Sequence, residues 1–145
     1  NPLPPVISIF KIFPFISFYE YICADFISIT KLLKMNLNKE VKSISVKELS
    51  EYINSGKKIP IIDVREQFEW EVCRIEGTKN IPMSRLTESI EHMPSDESTV
   101  IMCHHGVRSL NVIHYLETKG YDKLINLEGG IHAWALEVDR GMAKY

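Results

Sequence analysis

A chain of 145 residues with 45% hydrophobic and 25% charged side chains has room for one domain of ordinary size and composition. At a net charge of −2 the chain is not basic enough to suggest a nucleic-acid partner, and none is expected. Three cysteines, Cys23, Cys73 and Cys103, are an odd and sparse set that excludes a disulfide framework and fits a reducing compartment, so a cytoplasmic location is expected.

Residues 1–34 differ in character from residues 35–145. Ile, Phe, Pro, Ser and Tyr dominate there without a clear period, and three lysines against two carboxylates give +1, leaving −3 for the rest. The apolar stretch from Val6 to Ile29 is interrupted by Lys11, Pro14, Glu20 and Asp25, so it is a poor membrane span, and no membrane partner is expected. It also lacks the basic start, clean apolar core and cleavage site of a signal peptide. Met35 opens a polar stretch just before the patterned region. Residues 1–34 are therefore expected to be an extension outside the domain, with Met35 as the biological start.

From Ser43 the chain is well punctuated. Val41 to Ser45 predicts a short strand. Ser45 and Glu48 form the pattern of a capping box for a helix through Asn54 that stops at Gly56, with Leu49 and Ile53 inward. Ile59 to Val64 is a continuous apolar run, the signature of a parallel strand covered on both sides. Glu66 to Val72 predicts an acidic, aromatic turn or helix, and Ser84 to Met93 a helix with Leu86 and Ile90 inward. Val100 to Cys103 predicts the central strand. The next helix carries Val107, Leu110, Ile113 and Leu116 along one side and stops at Gly120. Leu124 to Leu127 predicts a last strand, and Gly129-Gly130 opens a final helix with Trp134 and Leu136. Strands alternating with helices define an α/β class, a small mostly parallel sheet flanked by helices.

Within this pattern Cys103 closes the apolar run Thr99-Val100-Ile101-Met102, and His104-His105-Gly106-Val107-Arg108-Ser109 leads into the next helix. The thiol thus falls at a strand-to-helix turn, at the carboxyl end of a strand where open α/β sheets place ligands. A helix start offers unpaired N–H groups and a positive dipole end; both favour a thiolate, and Arg108 adds charge. A thiol there is expected to be exposed and nucleophilic. Four residues separate Cys103 from Arg108, one fewer than in the Cys-five-residues-Arg loop that surrounds a phosphate. The tighter ring of N–H groups suits a smaller anion, such as a persulfide sulfur.

Cys103 to Ser109 resembles the active-site loop of the rhodanese-like sulfurtransferases. Three further segments resemble that family in order: Ile61-Ile62-Asp63-Val64-Arg65-Glu66, Ile75-Glu76-Gly77-Thr78-Lys79-Asn80-Ile81-Pro82, and Leu127-Glu128-Gly129-Gly130-Ile131-His132-Ala133-Trp134. The resemblance runs from about Ser43 to Tyr145, so residues 43–145 are expected to be a rhodanese-like domain. Arg74 stands where the family often has a histidine. The resemblance implies a single-domain sulfurtransferase in which Cys103 is the nucleophile and carries a persulfide. The N–H groups of His104, His105, Gly106, Val107, Arg108 and Ser109 would bind the anion, and Asp63 and Arg65 would support the loop. The partners are a small sulfur donor, thiosulfate or a persulfide, and a thiol or cyanide acceptor; no cofactor is expected. Two other readings stand beside it: a module that senses or carries persulfide for a partner enzyme, and a phosphatase or arsenate reductase, which the short loop disfavours.

Several residues keep two readings. Arg108 can point into the loop mouth or lie on the surface. Ser109 can hydrogen-bond the sulfur or cap the helix. Asp63 and Arg65 can support the loop or form an Asp turn and a solvated cation. Cys73 can resolve an oxidised Cys103 or be a plain free cysteine. His104 and His105, with Cys103, are metal-ligand types, but no second cluster lies nearby in sequence, so no metal is expected and the pair is read as lining the loop mouth.

Overall fold

The computed structural model describes residues 40–145, which include the compact unit Val41–Tyr145. The expectations for residues 1–34 and for Met35 lie outside the described residues. Five strands, β1 (Ser43–Ile44), β2 (Ile61–Asp63), β3 (Lys79–Asn80), β4 (Thr99–Met102) and β5 (Leu124–Leu127), make one sheet in the order β1-β5-β4-β2-β3. Every pairing is parallel, with Ile62 opposite Ile101 and Ile101 opposite Asn126 in the centre. The helices are α1 (Val46–Asn54), α2 (Gln67–Val72), α3 (Leu86–Ser89), α4 (Val107–Glu117) and α5 (Gly130–Glu137). Among the described residues no helix is long and apolar enough to cross a membrane.

The central strands β2, β4 and β5 are mainly apolar and buried because both faces of the sheet are covered there. Ile62, Ile101 and Cys103 point into one core with Leu86, Val112, Ile113 and Leu116; Ile61, Val100 and Met102 point into the other with Val46, Leu49, Ile131 and Trp134. This is the period-two alternation of a strand, expressed on two buried faces. Ser45 caps α1 as its sequence predicts: its Oγ accepts the Glu48 N–H at 3.3 Å, and its own N–H donates to Glu48 Oε2 at 2.9 Å.

The helix faces depart from the expected stripes in four places. In α1 the inward pair is Val46 and Leu49, while Ile53 is 36% exposed, because the apolar contact lies at the N-terminal end of this short helix. Ser84–Met93 is not one helix. A 3₁₀ turn, Met83–Arg85, precedes α3, and a second, Ile90–His92, comes after it. Met83 N–H is held by the Val64 carbonyl at one end, and Pro94 bars a helical Met93 at the other. In α4 Val107 faces solvent and the buried stripe is Ser109, Val112, Ile113 and Leu116. In α5 Trp134 is buried but Leu136 is exposed.

Strand order runs outward in opposite directions from the β4–β2 pair, so the chain reverses there. Their carboxyl ends leave a crevice at that point, where open parallel sheets bind ligands. Asp63 and Cys103 stand at those two ends.

Candidate active site

Cys103 leaves the end of β4 and is buried, with 1% of its surface exposed, so the expected exposed thiol is corrected. The cause is the turn into α4. The loop folds back so that the Gly106 N–H donates to Cys103 Sγ at 3.1 Å, and the Ser109 hydroxyl lies 3.4 Å from the same sulfur. Gly106 makes this turn at φ +97°, a left-handed conformation natural only to glycine. A side chain there would also crowd the Leu127 carbonyl at 3.2 Å and the Gly129 nitrogen at 3.3 Å.

Ser109 does not cap α4, which starts at Gly106 with no side-chain cap; its buried hydroxyl faces the sulfur instead. It has a single proton and three acceptors in reach: Cys103 Sγ, the Gly106 carbonyl at 3.0 Å and Asn126 Oδ1 at 2.6 Å. Asn126 is a site residue that sequence reasoning missed. Its signal was one amide inside the apolar strand Leu124-Ile125-Asn126-Leu127.

The loop is also tied from the far side. The first N–H groups of α5 donate to its carbonyls, Ile131 to Cys103 at 2.9 Å and His132 to His104 at 3.0 Å. A Cβ on Gly130 would collide with those same two carbonyl oxygens, which gives the Gly129-Gly130 pair a purpose beyond local turn geometry.

Behind the loop lies an ionic chain. Arg65 is wholly buried, which removes its solvated reading. Its Nε donates to Asp63 Oδ2 at 2.9 Å, and Nη2 donates to Asp63 Oδ2 at 2.6 Å and to the Cys73 carbonyl at 2.7 Å. Nη1 donates to the Tyr145 hydroxyl at 2.8 Å and the Glu69 carbonyl at 3.2 Å. Burial opposes the guanidinium charge, but the hydrogen bonds and charge of Asp63 outweigh it and raise the pKa above the ordinary arginine value. Tyr145 passes the chain on, donating to Glu69 Oε1 at 3.1 Å.

Glu69 then takes both Nη groups of Arg108, at 2.7 and 2.6 Å. Arg108 hydrogen bonding is the main reason the Glu69 carboxyl falls to about 2, and the same contact raises Arg108. Arg108 is therefore neither loose on the surface nor free to swing, but clamped beside the loop with a third of its side chain exposed. Glu69 was missed in the sequence because its surroundings, Glu66 to Val72, read only as an acidic, aromatic turn or helix.

His104 and His105 lie at the loop with ring centroids 4.1 Å apart. Burial first, then the charges of His105 and His132, lower the His104 pKa. Cys73 is half-buried, and its sulfur lies 3.9 Å from Arg65 Nη1. Arg74 lies over the Trp70 ring at 4.4 Å. A cavity of about 500 Å³ lined by Ile53, Arg74, Trp134 and Asp139 involves none of the loop residues.

A sulfur at a strand end, met by a backbone N–H and backed by a clamped arginine, is a place where a sulfur anion can be held and attacked. The chain belongs to the rhodanese-like domain family, whose model matches residues 45–137. A sequence 34% identical over 105 residues, 71% of this chain, occurs in the Mycobacterium tuberculosis protein named "Probable adenylyltransferase/sulfurtransferase MoeZ". That match spans only 27% of the mycobacterial protein's length. The thiosulfate sulfurtransferase GlpE of Shewanella oneidensis is 31% identical over 93 residues, 64% of this chain and 91% of GlpE. The crystal structure of a rhodanese-like domain protein from Staphylococcus aureus superposes with a TM-score of 0.63 at 36% identity, covering 72% of this chain and 99% of that one.

Proposed function

We propose that this protein is a sulfurtransferase that moves a sulfane sulfur from a small donor such as thiosulfate to a thiol or cyanide, through a persulfide on Cys103. The Cys103 thiolate attacks the outer sulfur of thiosulfate. The donor's S–S bond breaks, and its electron pair leaves with sulfite. The acceptor, a thiolate or cyanide, then attacks the outer sulfur of the persulfide, and the second S–S pair returns to Cys103 as thiolate.

The observation that carries this reading is the placement of Cys103 Sγ, 3.1 Å from the Gly106 N–H inside a loop of four intervening residues. In this reading the N–H groups of residues 104–109 ring the anionic sulfur, and their dipoles are fixed before reaction. Burial of Cys103 fits the same chemistry. A persulfide carries its transferable sulfur one bond, about 2 Å, further out than Sγ. Arg108 stands beside the loop with its charge already paired to the Glu69 carboxylate, which fixes that wall of the site. Asp63 and Arg65 hold Tyr145 and Glu69, and through them Arg108. The protein would work where thiols stay reduced, as in cytoplasm.

Steady-state assay with thiosulfate and cyanide tests the proposal. Thiocyanate and sulfite should form with the wild-type protein and not with Cys103→Ser, whose hydroxyl is not appreciably ionised near neutral pH. Persulfide loading without turnover would assign a carrier instead. Efficient aryl phosphate hydrolysis, lost in Cys103→Ser, would overturn the sulfur assignment.

A further inference from the structure

The fold brings a third imidazole to the pair that is adjacent in the sequence. His104 and His105 come directly after Cys103 in the loop, and His132 lies in the first turn of α5. The hydrogen bond from His132 N–H to the His104 carbonyl, 3.0 Å, ties the two backbones together. The ring centroids lie 4.1 Å apart for His104–His105, 4.9 Å for His105–His132 and 5.5 Å for His104–His132. One ring nitrogen from each residue lies within 4.8 Å of the other two, the one such cluster of ligand side chains among the described residues. His105 is exposed and the other two are half-buried, so an ion can reach them from solvent. The Tyr145 ring stacks on His104 at 4.5 Å and 18°, which fixes the plane of that imidazole.

We propose that His104, His105 and His132 form a Zn²⁺ site with its fourth position open to water. Three neutral nitrogens of borderline softness are a donor set suited to zinc, and three protein ligands with one open position is a recurrent zinc arrangement. Tetrahedral zinc with Zn–N of about 2.0–2.1 Å requires nitrogens about 3.3 Å apart, so the rings close by about 1.5 Å or less on binding. The sequence alone offered two adjacent imidazoles and no third; the helix start at Gly130 supplies it. The site shares a loop with Cys103 but does not use its sulfur, so it stands whether or not the protein transfers sulfur.

Calorimetric titration of the metal-free full chain with zinc chloride tests the site, using wild type, His105→Ala, His132→Ala and Cys103→Ala. One zinc should bind per chain in the wild type and in Cys103→Ala. Each histidine variant should bind at least about tenfold more weakly, the low end of what losing even an outer-shell partner costs. His105 is exposed, so its variant keeps the test valid if His132→Ala folds poorly. X-ray absorption of the zinc-loaded protein should show nitrogen and oxygen neighbours without sulfur. Equal affinity in wild type and His105→Ala, or sulfur in the zinc shell, would overturn the proposal.

Discussion

Glu69 joins the buried ionic chain to the loop. Its carboxyl titrates at about 2 in the folded protein, chiefly through the Arg108 hydrogen bonds, whereas an unfolded glutamate titrates near about 4.3. A lowered carboxylate pKa stabilises the fold above the unfolded value, and that contribution fades as pH falls toward the folded value. The difference is worth at most on the order of 3 kcal/mol, less what solvent screens at the part-exposed Arg108 end. Glu69→Gln should therefore melt lower than wild type at pH 7, with the gap narrowing between about pH 4 and pH 2. Thermal melts of both proteins across that range check it; a gap independent of pH would detach Glu69 ionisation from stability. This residue shows where sequence reading stops. Cys103 was legible from its local pattern, since strand, thiol and glycine turn are contiguous. Glu69, Asn126 and His132 reach the site from other elements, and nothing local marks a side chain that crosses to its partner.

At the scale of elements, the Cys103 loop is held between two helix starts. Gly106 bends its backbone into α4, and α5 grips its carbonyls from behind. Gly130 makes that grip possible, because a Cβ there collides with the Cys103 and His104 carbonyls. Gly130→Ala should destabilise the protein by about 1–3 kcal/mol, the range for overpacking. It should also slow sulfur transfer on the order of a hundredfold, the cost of a displacement of about 1 Å at a reacting centre. Gly56→Ala is the matching control. Gly56 has a φ of +78° with nothing near its absent Cβ, so alanine there meets backbone strain without collision. Chemical denaturation and initial rates separate the two; equal activity in both variants would show that the α5 grip does not position the loop. The helices were legible where a cap announced them, as at Ser45. Their buried faces were less so, because Val107 and Ile53 fit an apolar stripe by spacing alone, while packing decides which turns of a short helix touch the sheet.

Across the whole molecule, the alternation of strands and helices specified a parallel α/β sheet, and the sheet puts Asp63 and Cys103 at adjacent strand ends. Strand order was not legible, since it depends on crossovers and not on any one segment, and the two-residue β3 is too short to leave a pattern. Among the described residues, 43–145 supply every strand of the sheet and every residue of the proposed site. A chain beginning at Met35 should accordingly fold cooperatively and transfer sulfur at the rate of the full sequence. Loss of a cooperative thermal transition on removing residues 1–34 would show that the domain needs them.

Cys103 is the atom-bearing centre of the proposed reaction, the residue on which the transferred sulfur rides. Intact mass spectrometry after brief treatment with thiosulfate reads this directly. The wild-type protein should gain about 32 Da, one sulfur atom held as a persulfide, and return to its starting mass on addition of cyanide. Cys103→Ser should show no gain. A persistent gain in Cys103→Ser, or none in a folded wild-type protein that still forms thiocyanate, would contradict the Cys103 persulfide.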